Sequence, residues 1–156
     1  MKQILKKCSV LACALLVLAF GFTSCETMDS LSCPYVISNP HVELGENDEN
    51  HHFAGMYFSL FNDSAKTIEQ FTLSYMLYDA DGNNPFIGSN CFVAKCDWNV
   101  RGGAIVDFII DLDPFISVVP EEPYKVDFMY IREISYEDGS SWKDPYGMYC
   151  VREAYE

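Results

Sequence analysis

The amino-acid sequence predicts an all-β fold, two antiparallel sheets packed as a sandwich, on three observations. The first is strict alternation in "IEQFTLSYMLYD", Ile68–Asp79, where Phe71, Leu73, Tyr75 and Leu77 point one way and Gln70, Thr72 and Ser74 the other. A period of two marks a strand with one buried face. The second is composition. "GMYFSLFN" (Gly55–Asn62), "AIVDFIIDL" (Ala104–Leu112) and "YKVDFMYIREISY" (Tyr124–Tyr136) are crowded with aromatic and β-branched residues, which suit a pleated surface. The third is punctuation: "DADGNNP", "RGG", "PEEP", "EDGSS" and "KDPYG" are the Gly, Pro and Asx clusters of turns. No long stripe with helical spacing interrupts the series, and many short strands without helices favour two stacked sheets.

The elements follow in chain order. Lys2, Lys6 and Lys7 precede the uncharged segment Cys8–Ser24, whose apolar heart is Val10–Phe20. That heart is short against the roughly 20 apolar residues of a membrane span. A positive head, a short apolar core and a small-residue exit predict a secretory signal peptide over residues 1–24. Phe22-Thr23-Ser24-Cys25 resembles a bacterial lipobox, with phenylalanine where leucine is commoner, as in the looser lipoboxes of spirochaetes and Bacteroidetes. The resemblance implies that Cys25 becomes the new N-terminus, carrying a diacylglyceryl group and thus two or three acyl chains of the palmitate kind in all. One chain binds membranes only marginally, and two hold firmly. A signal cut without lipid and an uncleaved anchor are the alternatives.

Residues 25–32 then form a lipidated cysteine and short tether, reaching roughly 25 Å when extended. Residues 33–156 are long enough for one β-sandwich domain with a real core. All acidic residues follow Cys25, so loss of the three leader lysines takes the formal charge from −13 to −16. Such a surface repels phosphate backbones and anionic headgroups, so nucleic acid is not expected as a partner and the lipid holds the chain at the membrane.

"NDSAKTIEQFTLSYMLYDADGN" resembles the central motif of FxLYD-type domains: N-x-S at a turn, a lysine, F-x-L, then Y-D-x-D-G. Tyr75 and Tyr78 both match the family's tyrosine. "ISYEDGSSW" is similar to a closing hairpin of related bacterial modules, in which a D-G turn precedes a tryptophan packed on the core. The resemblance implies an immunoglobulin-like sandwich carried by bacterial lipoproteins and envelope proteins, and no active site. In that hairpin Asp138-Gly139 is expected to turn, since an Asp-Gly pair accepts positive φ.

Chemistry-bearing groups are sparse. "DADGNN" spaces oxygens as calcium loops do, but lacks the terminal glutamate and flanking helices of such a loop, and reads as a hairpin turn. His41, His51 and His52 include two beside the carboxylates of "ENDENHH", read as an exposed acidic loop because zinc needs three or four converging ligands. No nucleophile elbow, zincin, P-loop or dinucleotide motif occurs, and the carboxylate pairs Asp111/Asp113 and Glu121/Glu122 are unremarkable in so acidic a chain. No catalytic residue, metal or cofactor is therefore assigned.

Cys33, Cys91, Cys96 and Cys150 follow the tether. Four cysteines allow three connectivities. In "CFVAKC" the spacing puts Cys91 and Cys96 on opposite faces if that run is one strand, and they pair only if the chain turns between them. Cys33–Cys150, which would staple the two ends of the domain, is the favoured disulfide, with buried free thiols the alternative. Among the C-terminal aromatics, Phe128 and Trp142 are assigned to the core, and Tyr146 and Tyr149 of "KDPYGMY" to recognition. The expected role is a non-catalytic adhesion, assembly or binding module of the bacterial cell envelope, lipid-anchored to the inner or outer membrane, with a protein or glycan partner. A periplasmic accessory subunit that positions a partner enzyme or transporter is the second reading. A binding module should display aromatic groups on one sheet or loop tip, and a hydrolase a polar cleft.

Overall fold

A computed structural model describes residues 32–45 and 51–151. The expected signal peptide over residues 1–24, Cys25 and the expected tether up to residue 31 lie outside them. The described strands are β1 (Tyr35–Leu44), β2 (Ala54–Asn62), β3 (Ile68–Tyr78), β4 (Cys91–Val100), β5 (Ile105–Asp111), β6 (Lys125–Tyr136) and β7 (Ser141–Lys143). One sheet runs β1-β2-β5 and the other β4-β3-β6-β7, with every pairing antiparallel. This is the expected all-β, two-sheet sandwich. β1 was not read from the sequence because Asn39-Pro40 interrupts it; there the register shifts and Asn39 takes φ 53°.

The alternating face of β3 faces the other sheet. Phe71 meets Phe108 of β5 edge-on at 5.2 Å, and Phe108 stacks on Phe58 of β2 at 5.3 Å. Leu73, Tyr75 and Leu77 are buried beside them. The N-x-S turn is structural: the amide nitrogen of buried Asn62 donates to the Lys66 and Val100 carbonyls, while its oxygen accepts from the Ser64 N–H and hydroxyl. One side chain thus satisfies the backbone where the chain crosses between sheets, as buried polar groups require.

Two assignments need correction. Ser74, expected on a solvent face with Thr72, is only 4% exposed, because chain beyond β7 folds back over that face. Phe128, expected in the core, is half-buried on the same outer face. The cause is register. Ser74 pairs with Tyr130 but Met76 with Asp127, and Thr72 pairs with Glu133 but Leu73 with Ile131. Each step inserts one extra residue on β6, a β-bulge that breaks the inside–outside alternation. Phe128 sits at the first bulge with φ 48°.

The closing hairpin forms as expected in outline. Gly139 has φ 81°, its N–H reaches the Tyr136 carbonyl at 2.9 Å, and the Tyr136 N–H reaches Ser140 O at 3.0 Å. Gly139 alone in the Asp-Gly pair takes positive φ, so this is a longer turn closed by a left-handed glycine. Trp142, directly after it, pairs with Ile134 and is buried.

Phe71→Ala should cost about 3–5 kcal/mol in urea unfolding, the range for deleting a buried phenylalanine. Thr72→Ala should cost far less, and an equal cost would contradict the register. Asp138 supplies a pH dependence. The Ser140 hydroxyl and N–H, and then Lys66 at 3.0 Å, hold its carboxyl down to about 2. Because the folded value is depressed, this contribution is present above the ordinary carboxylate value and lost as pH falls towards 2. The stability difference between the native chain and Asp138→Asn should therefore shrink between about pH 4 and pH 2; a constant difference in denaturant titrations would contradict the assignment.

Candidate functional site

The chain beyond β7 builds the site. Asp144 donates its N–H to the Arg132 carbonyl at 2.9 Å, and its buried carboxylate accepts the N–H groups of Tyr146 (3.3 Å) and Tyr149 (3.1 Å). "DPYGMY" is thereby closed into a tight loop, and Val151 exchanges two backbone bonds with Met129 of β6 at 2.7 and 3.1 Å. Gly147, at φ 66°, lies against the ring of Tyr130, where an added Cβ would come within 3.0 Å of a ring carbon. Only glycine meets both demands without strain.

The loop leaves a cavity of about 250 Å³ on the outer face of the four-stranded sheet. Ser74, Met76, Phe128, Tyr130 and Tyr146 line it, with Cys91 and Cys150. Tyr146 is 88% exposed. No lysine, arginine, histidine or carboxylate belongs to this lining. The walls therefore offer aromatic faces, a thioether, hydroxyls and thiols.

The two tyrosines expected to act together separate. Tyr146 borders the cavity, whereas Tyr149 is half-buried with its ring 5.9 Å from Trp142. Trp142 meets Tyr35 edge-on at 5.6 Å. Its buried indole N–H has no hydrogen-bond partner among the described residues, a cost of about 1–3 kcal/mol that its apolar burial must exceed. Phe128 and Met76 were missed as site residues, since only the bulge in β6 and the returning loop bring them together.

The four cysteines are free thiols. Cys33 donates to Tyr35 O at 3.2 Å. Burial, and then the charges of Cys33, Asp144 and Cys150, push the Tyr35 phenol above its ordinary range. On β4, Cys91 faces out and Cys96 in, as the spacing requires. Burial, helped by Asp97, pushes the Cys96 thiol up to about 11, which leaves it unreactive at neutral pH.

The histidines do not form the exposed loop expected of them. His51 is 5% exposed, packed against Gly55 where a side chain would clash, with Nε2 3.2 Å from the Tyr57 hydroxyl. His41 lies on β1 and stacks on Tyr57 at 5.5 Å. Asp113, unassigned from sequence, accepts the N–H groups of His52, Phe53 and Ala54 at 2.7, 2.8 and 3.1 Å. Desolvation opposes its charge, but these donors win and hold its carboxyl below the ordinary value. In "DADGNN", the Asp79 carboxylate is taken by the N–H groups of Asp81 (3.0 Å) and Asn83 (2.7 Å). Among the described residues no three His, Cys, Asp or Glu converge on a metal position.

No family model matches the chain, and no curated protein matches it. Among solved structures, a hypothetical protein from Peptoclostridium difficile 630, determined by X-ray crystallography, is similar with a TM-score of 0.53 and 12% identity, over 72% of this chain and 87% of that one. At that identity the likeness concerns the fold alone.

Proposed function

We propose that the chain is a lipid-anchored, non-catalytic binding module of the bacterial cell envelope, holding a protein or glycan partner through the cavity beside Tyr146. The observation that carries this reading is the cavity itself: aromatic, ordered by a buried carboxylate, and bordered by a tyrosine left almost wholly in solvent. A ring with a large apolar area and a polar tip is what recognition surfaces favour. Walls without charged or imidazole groups suit binding better than acid–base chemistry. Anchoring rests on the leader and on Cys25. In the second reading, a periplasmic accessory subunit, the same cavity would position a partner enzyme or transporter.

Two substitutions test the proposal. Cys25→Ala should move the protein from the detergent phase to the aqueous phase, and an unmodified Cys25 thiol on an intact leader in mass spectra of the native chain would defeat the anchor. Tyr146→Ala should leave the melting temperature unchanged and abolish cross-linking to the partner in intact envelopes. Unchanged cross-linking would remove the cavity from the account.

A further inference from the structure

A second surface lies at the end of the sandwich opposite Cys33. The registers put Tyr35, Asn62, Ile68, Val100 and Tyr136 at one end and Leu44, Ala54, Tyr78, Cys91, Asp111 and Lys125 at the other. The connections 79–90 and 112–124 both belong to the second end. Their roots share one run of rings: Phe86 lies 5.0 Å from Phe92 and 5.3 Å from Tyr124, and Phe115 lies 5.0 Å from Phe92.

Above these roots the loops face solvent with apolar groups. Ile87 is fully exposed, Val118 77% and Phe115 52%, and Val119 is exposed beside them. Hydrogen bonds tie the first loop and the start of the second. Asn84 donates to Gly88 O at 2.7 Å and accepts the Phe86 N–H at 2.9 Å, Lys125 reaches Ala80 O at 2.9 Å, and Asp113 ties its loop to the start of β2. Ile87 and Phe115, held out by hydrogen-bonded turns, lose little entropy on being covered, which favours a binding role.

Charge selects the occupant. Asp81, Glu121 and Glu122 of these loops are exposed, neither loop carries a lysine or arginine, and Lys125 at the start of β6 is engaged with Ala80. Anionic headgroups are repelled by this rim, and so is a second copy of a chain whose formal charge is −13. We infer that loops 79–90 and 112–124 form an interaction surface for a protein segment that alternates apolar with cationic side chains. This surface is separate from the cavity beside Tyr146, so each stands or falls by its own test.

The test uses the full chain and a labelled peptide alternating lysine with valine, with lysine–glycine and glutamate–valine peptides and zwitterionic vesicles as further probes. The lysine–valine peptide should bind, and both Val118→Ser and Ile87→Ser should weaken it by about tenfold or more, as loss of an anchor residue does. Glu121→Lys with Glu122→Lys should do the same. Glu69→Lys, an exposed change at the far end, should leave binding intact. All variants should keep the native melting temperature, and the paired glutamate changes preserve the test should an apolar variant fail to fold. Equal binding of the lysine–glycine peptide, insensitivity to the loop variants, vesicle binding through Val118, or concentration-dependent self-association would each overturn the inference.

Discussion

The two extra residues on β6 are the constraint on which the rest of the structure depends. β6 must pair with β3 along its length and also fill the core. Its inward residues are Val126, Met129, Ile131, Ile134 and Tyr136, spaced by three at each bulge instead of two. The first bulge turns Phe128 outward into the cavity, at the cost of a left-handed backbone, about 1–3 kcal/mol for a residue other than glycine. The Asp127 carboxylate offsets part of this by accepting the Phe128 N–H at 2.7 Å. The second leaves Arg132 outside the β3 pairing, and its carbonyl takes the Asp144 N–H that starts the returning loop. Core, cavity wall and loop thus follow from one irregular strand.

That arrangement divides labour along the sandwich. Its middle is closed by Phe58, Phe71 and Phe108 across the sheets, giving a base rigid enough for loops to be positioned on. The polar clamps lie at the margins. Asn62 and Asp138 hold the end near Cys33, Asp113 holds the opposite end, and Asp144 holds the side loop. Asp113 and Asp144 each satisfy several backbone N–H groups at once, Asn62 donates to two carbonyls while accepting from Ser64, and Asp138 gathers the Ser140 N–H and hydroxyl with Lys66. The acidity of the chain is therefore partly structural.

What was legible in the sequence was whatever repeats locally. β3 announced itself because Phe71 to Leu77 alternate without interruption, and the opposite facing of Cys91 and Cys96 followed from spacing on one strand. The turn at Gly139 and the burial of Trp142 were legible because glycine's positive φ and a large apolar ring each have few other uses. β6 defeated the same logic. Alternation assigns Phe128 inward, and nothing local marks a bulge created by pairing with a strand some fifty residues earlier. The cavity was hidden for the same reason. Tyr146 and Tyr149 stand three apart in one loop, yet Asp144 folds that loop so tightly that one ring borders the cavity and the other packs on Trp142. His51 was misjudged because its neighbours are acidic, whereas its burial depends on the missing side chain of Gly55.

The placement of Phe128 and Met129 is the most direct test of this account. Nuclear Overhauser contacts in an isotope-labelled sample report it. The account predicts contacts from the Phe128 ring to groups lining the outer cavity, contacts from the Met129 methyl to core side chains, and upfield-shifted Gly147 α-protons beneath the Tyr130 ring. A Phe128 ring in contact with the core, with Met129 facing solvent and Gly147 unshifted, would mean that β6 runs without its first bulge and that the cavity is not built as described.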